Sequence, residues 1–516
     1  MNRRFTRAMA ILLALLFLLT AAVSCKKNEG GDDTTASEPV TDVVDSGTES
    51  DSGIRYDADG YQMDKLPEDL DFNGKEVRIF AHPQAYNEFE IEIEQINSSV
   101  LNNAVHRRNL KTEARTGAKL VFIMETVSED QSYTSQLENL QSGPDACTIF
   151  STYSRTASEL MIKGYTADLT EMDYIDFSAP WWSQALVEKA SIYDQIHFCS
   201  GDISPMLFAQ TFTVFYNKNM VEEYVNIEDY DAESLYDMVY DKTWTIDNMI
   251  KMCKGVGYNT DNTKDENDIY GFTVNVINQD GFYQAAGLNV LAYNDDGSVR
   301  VSDDMSSAKA DSLVKKLVDF YNSPDAMCNE QYLDGSQLVP SAAWEKGNSM
   351  FYMGIVKHAT NYQTLGLDFG ILPVPKWDVE QENYYSISGF AYAMWSIARS
   401  AKEEDADISA AVLECLASES YRTVAPALYT TVLQEQTSNS AADYEMWNTI
   451  KASVTIEGGR CFDSNLETLG WSIFRNAIMK RTGDYMSFYA TYADKLSGNV
   501  ASMNIIMATL DEVYGG

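Results

Sequence analysis

Few residue types in this 516-residue chain are arranged for bond-making chemistry. His82, His106, His197 and His358 are scattered, with no H-E-x-x-H string, and there is no G-x-S-x-G elbow and no phosphate-binding loop. Gly255-Val256-Gly257 lacks the third glycine of a dinucleotide turn and follows a helical stretch, not a strand. Of Cys147, Cys199, Cys253, Cys328, Cys415 and Cys461, no two lie within 40 residues of each other, which excludes C-x-x-C redox and zinc motifs. Several sit in apolar contexts, as in Ala146-Cys147-Thr148-Ile149-Phe150, so buried thiols are at least as well supported as disulfides. No catalytic residue stands out. Among 77 Asp and Glu, a carboxylate pair set for glycoside hydrolysis remains open. One cation loop is suggested: Asn259, Asp261, Asp265 and Asp268 match positions three, five, nine and twelve of an EF-hand-like calcium loop. Gly257 at position one, Asn262 at the glycine position and Asp instead of Glu at twelve weaken the match. The alternative is a surface acidic loop that caps a strand starting at Tyr270.

The charge balance, 38 Lys and Arg against 77 acidic residues, gives a net charge of −39 and argues against nucleic acid, whose phosphates need clustered cations. Hydrophobic residues make up 45%, enough for a large core and two or three domains. Arg3, Arg4 and Arg7 precede an apolar run from Ala8 to Val23, too short for a comfortable span and suited to a signal peptide. The run ends in Ala22-Val23-Ser24-Cys25, which resembles a bacterial lipoprotein signal. That implies removal of residues 1–24 and lipidation of Cys25, including a palmitate-type acyl chain; a plain secretory signal with a coincidental Cys is the alternative. Residues 25–66 then read as an acidic tether. Asn28 to Gly53 carries eight acidic residues and no basic ones, so it cannot offset its chain entropy by burial.

The elements that would position a site begin near Asn73-Gly74. Strands are expected at Lys75–Ala81, Lys119–Ile123 and Cys147–Phe150, with helices at Leu101–Gly117, Ser132–Leu140 and Ser158–Lys163. This alternation argues for a parallel sheet covered by helices. Further strands are expected at Phe212–Tyr216, Tyr270–Val274, Met350–Gly354 and Phe369–Pro373. A helix capped by Thr243 or Thr245 runs to about Gly255, and another spans Ser306–Asn322 with Ala308, Leu313, Leu317 and Phe320 inward. Ala401–Ser418 is helical, as is most of the C-terminal third.

Several ordered strings carry a resemblance: Gly164-Tyr165-Thr166-Ala167-Asp168-Leu169-Thr170, Thr213-Val214-Phe215-Tyr216-Asn217-Lys218, Lys242-Thr243-Trp244-Thr245-Ile246-Asp247, Asp265-Glu266-Asn267-Asp268-Ile269-Tyr270-Gly271-Phe272 and Phe369-Gly370-Ile371-Leu372-Pro373-Val374-Pro375-Lys376. In order and spacing the chain resembles family 1 extracellular solute-binding proteins, the carbohydrate-binding lipoproteins of ABC importers. The resemblance implies an α/β type 2 periplasmic-binding-protein fold, with lobe 1 at 74–209 plus 387–425 and lobe 2 at 210–386 plus 426–516. It also implies a monomer on the outer face of the cell membrane, Gram-positive by the same resemblance, that closes by a hinge on a carbohydrate and engages membrane permease subunits. An anchored glycosidase and a surface sensor or scaffold are the rival readings.

A sugar offers hydroxyls and flat C–H faces, so its site needs aromatic plates and side chains that donate and accept hydrogen bonds. Ser151-Thr152-Tyr153-Ser154-Arg155 follows an expected strand at its carboxyl end, where ligands of open sheets bind. By resemblance Tyr153 and Arg155 line the cleft; a solvated loop is the alternative. Asp202 and Gln210 fall at the first implied lobe crossing and are candidate hydroxyl partners, although Asp202 suits a turn cap equally. Trp182, from the only Trp pair, and Trp344 and Trp471 are candidate stacking plates, with core packing as the alternative. Trp395 alternates with apolar residues and reads as core.

Overall fold

The computed structural model describes residues 48–49, 54–81, 100–123, 146–259, 264–328, 340–481 and 483–514. The fold is that of the unit from Gly47 to Gly516. The leader, Cys25, most of the tether and the expected helix at Ser132–Leu140 therefore lie outside the described residues.

The strands that build the two main sheets are, in chain order, β1 (Glu76–Ala81), β2 (Lys119–Ile123), β3 (Ile149–Tyr153), β4 (Phe212–Asn217), β5 (Tyr270–Val274), β6 (Ala326–Cys328), β7 (Ser349–Ile355), β8 (Phe369–Leu372) and β10 (Ala393–Ile397); the two-residue strands β9 (Ser386–Ile387) and β11 (Val454–Thr455) pair with each other. The first sheet has the order β10-β3-β1-β2, with β1, β2 and β3 parallel and β10 antiparallel to β3. The second has the order β6-β5-β7-β4-β8, parallel from β6 to β7, with β4 antiparallel to both β7 and β8. Central strands are buried on both faces, so they read as continuous apolar runs such as Phe212-Thr213-Val214-Phe215-Tyr216. The wholly parallel first sheet expected from the alternation thus gains an antiparallel strand supplied from some 240 residues downstream.

Each antiparallel insertion, β4 or β10, is the strand entered directly from a segment that passes between the sheets. These two segments lie side by side. Thr211 and Ser388 form an antiparallel bridge, and Gly389 N–H donates to Gln210 O at 2.9 Å. The hydroxyls of Thr211 and Ser388 are 3.0 Å apart, and Ser388 Oγ donates to Leu207 O. Pro205 opens the five-residue helix before the first crossing, where its missing N–H costs nothing. A third connection is helical. The Glu403–Glu419 helix continues into π-type turns at Ser420–Val424 and Ala427–Glu435. Ala425 N–H reaches Ser420 O, five residues back, just before Pro426, which has no N–H to offer.

Helices follow the capping rules. Thr245 accepts from Asn248 N–H at the start of Ile246–Cys253, and Ser307 from Ala310 N–H at the start of Ala308–Asn322. In the latter, Leu313, Leu317 and Phe320 are buried as expected, but Ala308, about 140° around the helix from Leu313, is exposed, and Ala310, three residues before Leu313, takes the inward position. One hydrophobic cluster surrounds the second sheet and extends across the crossings through Met206, Leu207, Val424 and Leu428; another packs Val77, Ile79, Trp181, Trp182 and Trp395 around the first sheet. All six described cysteines are buried free thiols.

Candidate functional site

The expected loop Ser151–Arg155 is not a loop. Strand β3 continues through Tyr153 because its residues pair with β10, in register from Tyr153 opposite Ala393 to Ile149 opposite Ile397. Ser151 and Thr152 are therefore buried, and the helix Ser154–Ile162 starts at once. The consequence for the site is small: Tyr153 still ends the strand and Arg155 still sits at its carboxyl end.

Arg155 reaches across to the segment that comes after β11. Its Nε donates to Asp463 Oδ2 at 2.5 Å, and Ser464 Oγ donates to Arg155 O at 2.6 Å. Trp471 Nε1 donates to the other oxygen of Asp463 at 2.5 Å. Burial works against the Arg155 charge, but Asp463, helped by Tyr153, more than restores it and holds the guanidinium above its ordinary value. Phe390, just past the second crossing, meets Trp471 edge to face with ring centroids 6.2 Å apart. The Arg460 guanidinium lies 3.8 Å from the centre of Phe390, and that of Arg475 3.8 Å from the centre of Trp471. Both arginines converge on Asp280: Arg460 Nη1 at 3.1 Å, Arg475 Nε at 2.9 Å and Arg475 Nη2 in addition. The result is two aromatic plates interleaved with three guanidiniums and two carboxylates. The space left beside Arg460 and Trp471 is only about 10 Å³, roughly one water.

Gln210 lies on the first crossing segment, buried, with its backbone carbonyl on Gly389 N–H and its side chain close to Gly389. It thus adjoins Phe390 at the edge of the arginine cluster.

Trp182 and Asp202 go elsewhere. They line a cavity of about 270 Å³ beside the crossings, together with Trp181, Phe208, Tyr429 and Lys451. The two indole N–H groups both donate to Glu414, at 3.2 Å from Trp181 and 3.0 Å from Trp182. Burial pushes the Glu414 carboxyl up to about 8. Asp202 is pushed up to about 6, also by burial, with Lys451 pulling the other way. Trp344 is corrected outright. It is 2% exposed and packs among Phe215, Tyr352 and Tyr362 in the core of the second sheet, where it presents no face to a ligand.

Of the expected calcium loop, Asn259, Asp265 and Asp268 are described. Asp261 lies outside the described residues. Asp268 Oδ2 accepts from Asn259 Nδ2 at 3.0 Å, Asp265 N–H at 3.0 Å and Tyr270 Oη at 3.2 Å. A carboxylate oxygen that accepts from three donors of its own loop closes a turn. Among the described residues no group of three His, Cys, Asp or Glu is placed to hold an ion.

Phe390, Arg460, Asp463, Arg475 and Asp280 carry no local signal of a site. They lie on four separate stretches of chain, and only Trp471, eight residues from Asp463, hints at the place.

No family model and no curated protein sequence matches this chain. Solved structures do. A family 1 extracellular solute-binding protein from Bifidobacterium longum subsp. infantis aligns at TM-score 0.51 and 14% identity, over 83% of this chain and 100% of that one. The galacto-N-biose-/lacto-N-biose I-binding protein of the ABC transporter from Bifidobacterium longum, in complex with lacto-N-biose, aligns at 0.51 and 12%, over 86% and 98%. A cyclo/maltodextrin-binding protein complexed with maltotetraose aligns at 0.50 and 12%, over 85% and 97%. The chain has the fold of the extracellular solute-binding proteins. No helix among the described residues is long and apolar enough to cross a membrane.

Proposed function

We propose that this protein is the solute-capturing receptor of an ABC carbohydrate importer, held on the extracellular face of the cell membrane by a lipid on Cys25 and the tether 25–66. Lobe 1 comprises 74–209 plus 387–425 and lobe 2 comprises 210–386 plus 426–516. The ligand enters between Arg155 and Tyr153 on one side and Trp471 and Asp463 on the other, and Gln210 lies at the floor. Trp182 and Asp202 belong to the cavity beside the hinge and respond to closure. The observation that carries this reading is the Arg155–Asp463–Trp471 contact, which joins the carboxyl end of a first-sheet strand to the far half of the chain next to the paired crossings. Such a contact is made in a closed form and broken in an open one, and a ligand that favours the closed form supplies the signal that permease subunits read. Sugar-binding solved structures of the same fold support carbohydrate as the ligand class.

The glycosidase alternative needs a carboxyl kept protonated beside a bare carboxylate. Asp280 is saturated by two arginines and Asp463 by Arg155 and an indole, an arrangement that suits binding better than proton transfer. The test is a thermal-shift and tryptophan-fluorescence screen of the mature protein against neutral and acidic oligosaccharides, with chromatography of the recovered sugar. Stabilisation with the sugar recovered intact supports the proposal. Recovery of shortened sugar, or no response to any carbohydrate, overturns it.

A further inference from the structure

We infer that the carbohydrate taken by this cleft is anionic, carrying a carboxylate or sulfate that the arginine cluster receives; the inference rests on the receptor reading above. Fifteen arginines are spread over the chain, yet Arg155, Arg460 and Arg475 converge on one pair of rings in a protein whose net charge is −39. A site meant for neutral sugars in so acidic a chain has no need to gather guanidiniums. One meant for an anion must do so locally, against the field of the whole molecule.

The carboxylates present do not use up the guanidinium donors. Asp280 is shared by two arginines, and Asp463 is shared by Arg155 and the Trp471 indole. The nearby Glu457 accepts from Val290 N–H at 3.0 Å and Arg460 N–H at 3.1 Å, and its charge also acts on the Arg460 guanidinium. Arg460, 7% exposed, leaves its Nη2 buried with no hydrogen-bond partner among the described residues, while its guanidinium covers the face of Phe390. A buried, unpaired guanidinium nitrogen is costly unless something supplies an acceptor.

The Arg155–Asp463 pair points the same way. Its members lie in different proposed lobes, so a guest that enters between them separates them. Arg155 then faces the cleft without a carboxylate. A neutral hydroxyl would replace an ion pair with an ordinary hydrogen bond, whereas a planar uronate carboxylate matches the guanidinium fork with two. Asp463 keeps its Trp471 N–H and turns to sugar hydroxyls, and the rings of Trp471 and Phe390 receive the sugar's C–H face.

The experiment uses the mature protein with three probes: a galacturonic acid trisaccharide, a sulfated disaccharide and neutral maltotriose. Binding is read by tryptophan fluorescence and thermal shift. The expected result is at least tenfold tighter binding of one acidic probe than of maltotriose, with the uronate and sulfate arms identifying which acid. In Arg155→Gln, whose side chain is over a third exposed, acidic binding falls at least tenfold. Arg460→Lys, which keeps the charge but loses the fork, gives a smaller fall in acidic binding. If maltotriose binds as tightly as the acidic probes, or if Arg155→Gln leaves acidic binding intact, the inference fails and the receptor reading stands. If no carbohydrate binds at all, both fail.

Discussion

Glu414 lies 1% exposed on the helix Glu403–Glu419 and holds both indoles of the cavity beside the crossings. Its oxygens accept from Trp181 Nε1, Trp182 Nε1 and Asp176 N–H, and no cation is among those partners. Burial raises its carboxyl from 4.5 to about 8; the three N–H donors offset part of that, and the charge of Asp64 adds to it. Between about pH 4.5 and about pH 8 the folded protein keeps a proton that the unfolded chain releases, so folding takes up a proton. The resulting stability is fully present below the unfolded value and is lost as pH rises through about 8. Within the window each pH unit is worth about 1.4 kcal/mol, and from about pH 6.5 to about pH 8 the integral is about 1.6 kcal/mol. Glu414→Gln carries no proton there, so it removes the slope. It adds a fixed cost of about 1–2 kcal/mol, because an amide nitrogen cannot accept from an indole N–H. The assay is urea unfolding of both proteins at pH steps across that range, plotted as the difference between them. Asp202 and His358 titrate in both proteins and cancel from the difference. The variant should lose ground to the native chain at pH 6.5 and recover most of it by pH 8. Two parallel curves would show that Glu414 is charged or solvated in the fold and would refute the reasoning.

Asp463→Asn weakens the Arg155 ion pair and the Trp471 acceptor together; small-angle X-ray scattering of the unliganded protein should show a larger radius of gyration, and no change would count against a contact that holds the halves closed. Trp344→Phe should lower the urea midpoint by a loss of about 1–3 kcal/mol from the second-sheet core while ligand affinity is unchanged, and Trp471→Ala should do the reverse, with little loss of stability and at least tenfold weaker binding. Gly201→Ala would place a Cβ 2.1 Å from Trp181 O and 2.9 Å from Ser183 N, so it should destabilise by about 3 kcal/mol and disturb tryptophan emission from the Trp181-Trp182 wall. Addition of calcium or of EDTA should leave the melting temperature unchanged, since Asp268 is occupied by its own chain; a calcium-dependent rise would reverse that reading.

Strands and helices are legible where local pattern decides them. The run at Tyr270–Val274 and the strand at Lys119–Ile123 match the structure residue for residue, and the Thr245 cap falls where its hydroxyl meets Asn248 N–H. The end of β3 escapes local reading for a non-local reason. Ser151 and Thr152 look like loop residues, and only the distant partner β10 turns them into strand. The same limit applies to tryptophans. Trp344 and Trp471 both sit at helix-forming stretches near apolar residues, and no local signal separates a plate that faces a cleft from one sunk among Phe215, Tyr352 and Tyr362.

The difference between those two tryptophans lies in what the backbone around them permits. Trp471 comes directly after Gly470, where a Cβ would sit 2.4 Å from Gly459 O, so the start of the helix Leu469–Met479 presses directly on the Gly458–Cys461 turn. Glu467 and Thr468, just before it, both take left-handed φ values of 50° and 65°, a conformation that costs free energy in residues with a Cβ. That tight return carries Trp471 back to Asp463, with Arg460 over Phe390 and Arg475 over Trp471. Glycines at 458, 459 and 470 allow these backbones to come so close. In the fold they are the reason an indole, a carboxylate and three guanidiniums can share a few ångströms. Strain held next to an ion cluster, not in an ordinary surface loop, fits the proposed ligand site. Gly470→Ala should therefore abolish ligand binding by moving Trp471 from Asp463, even where Arg155, Arg460 and Arg475 are all retained.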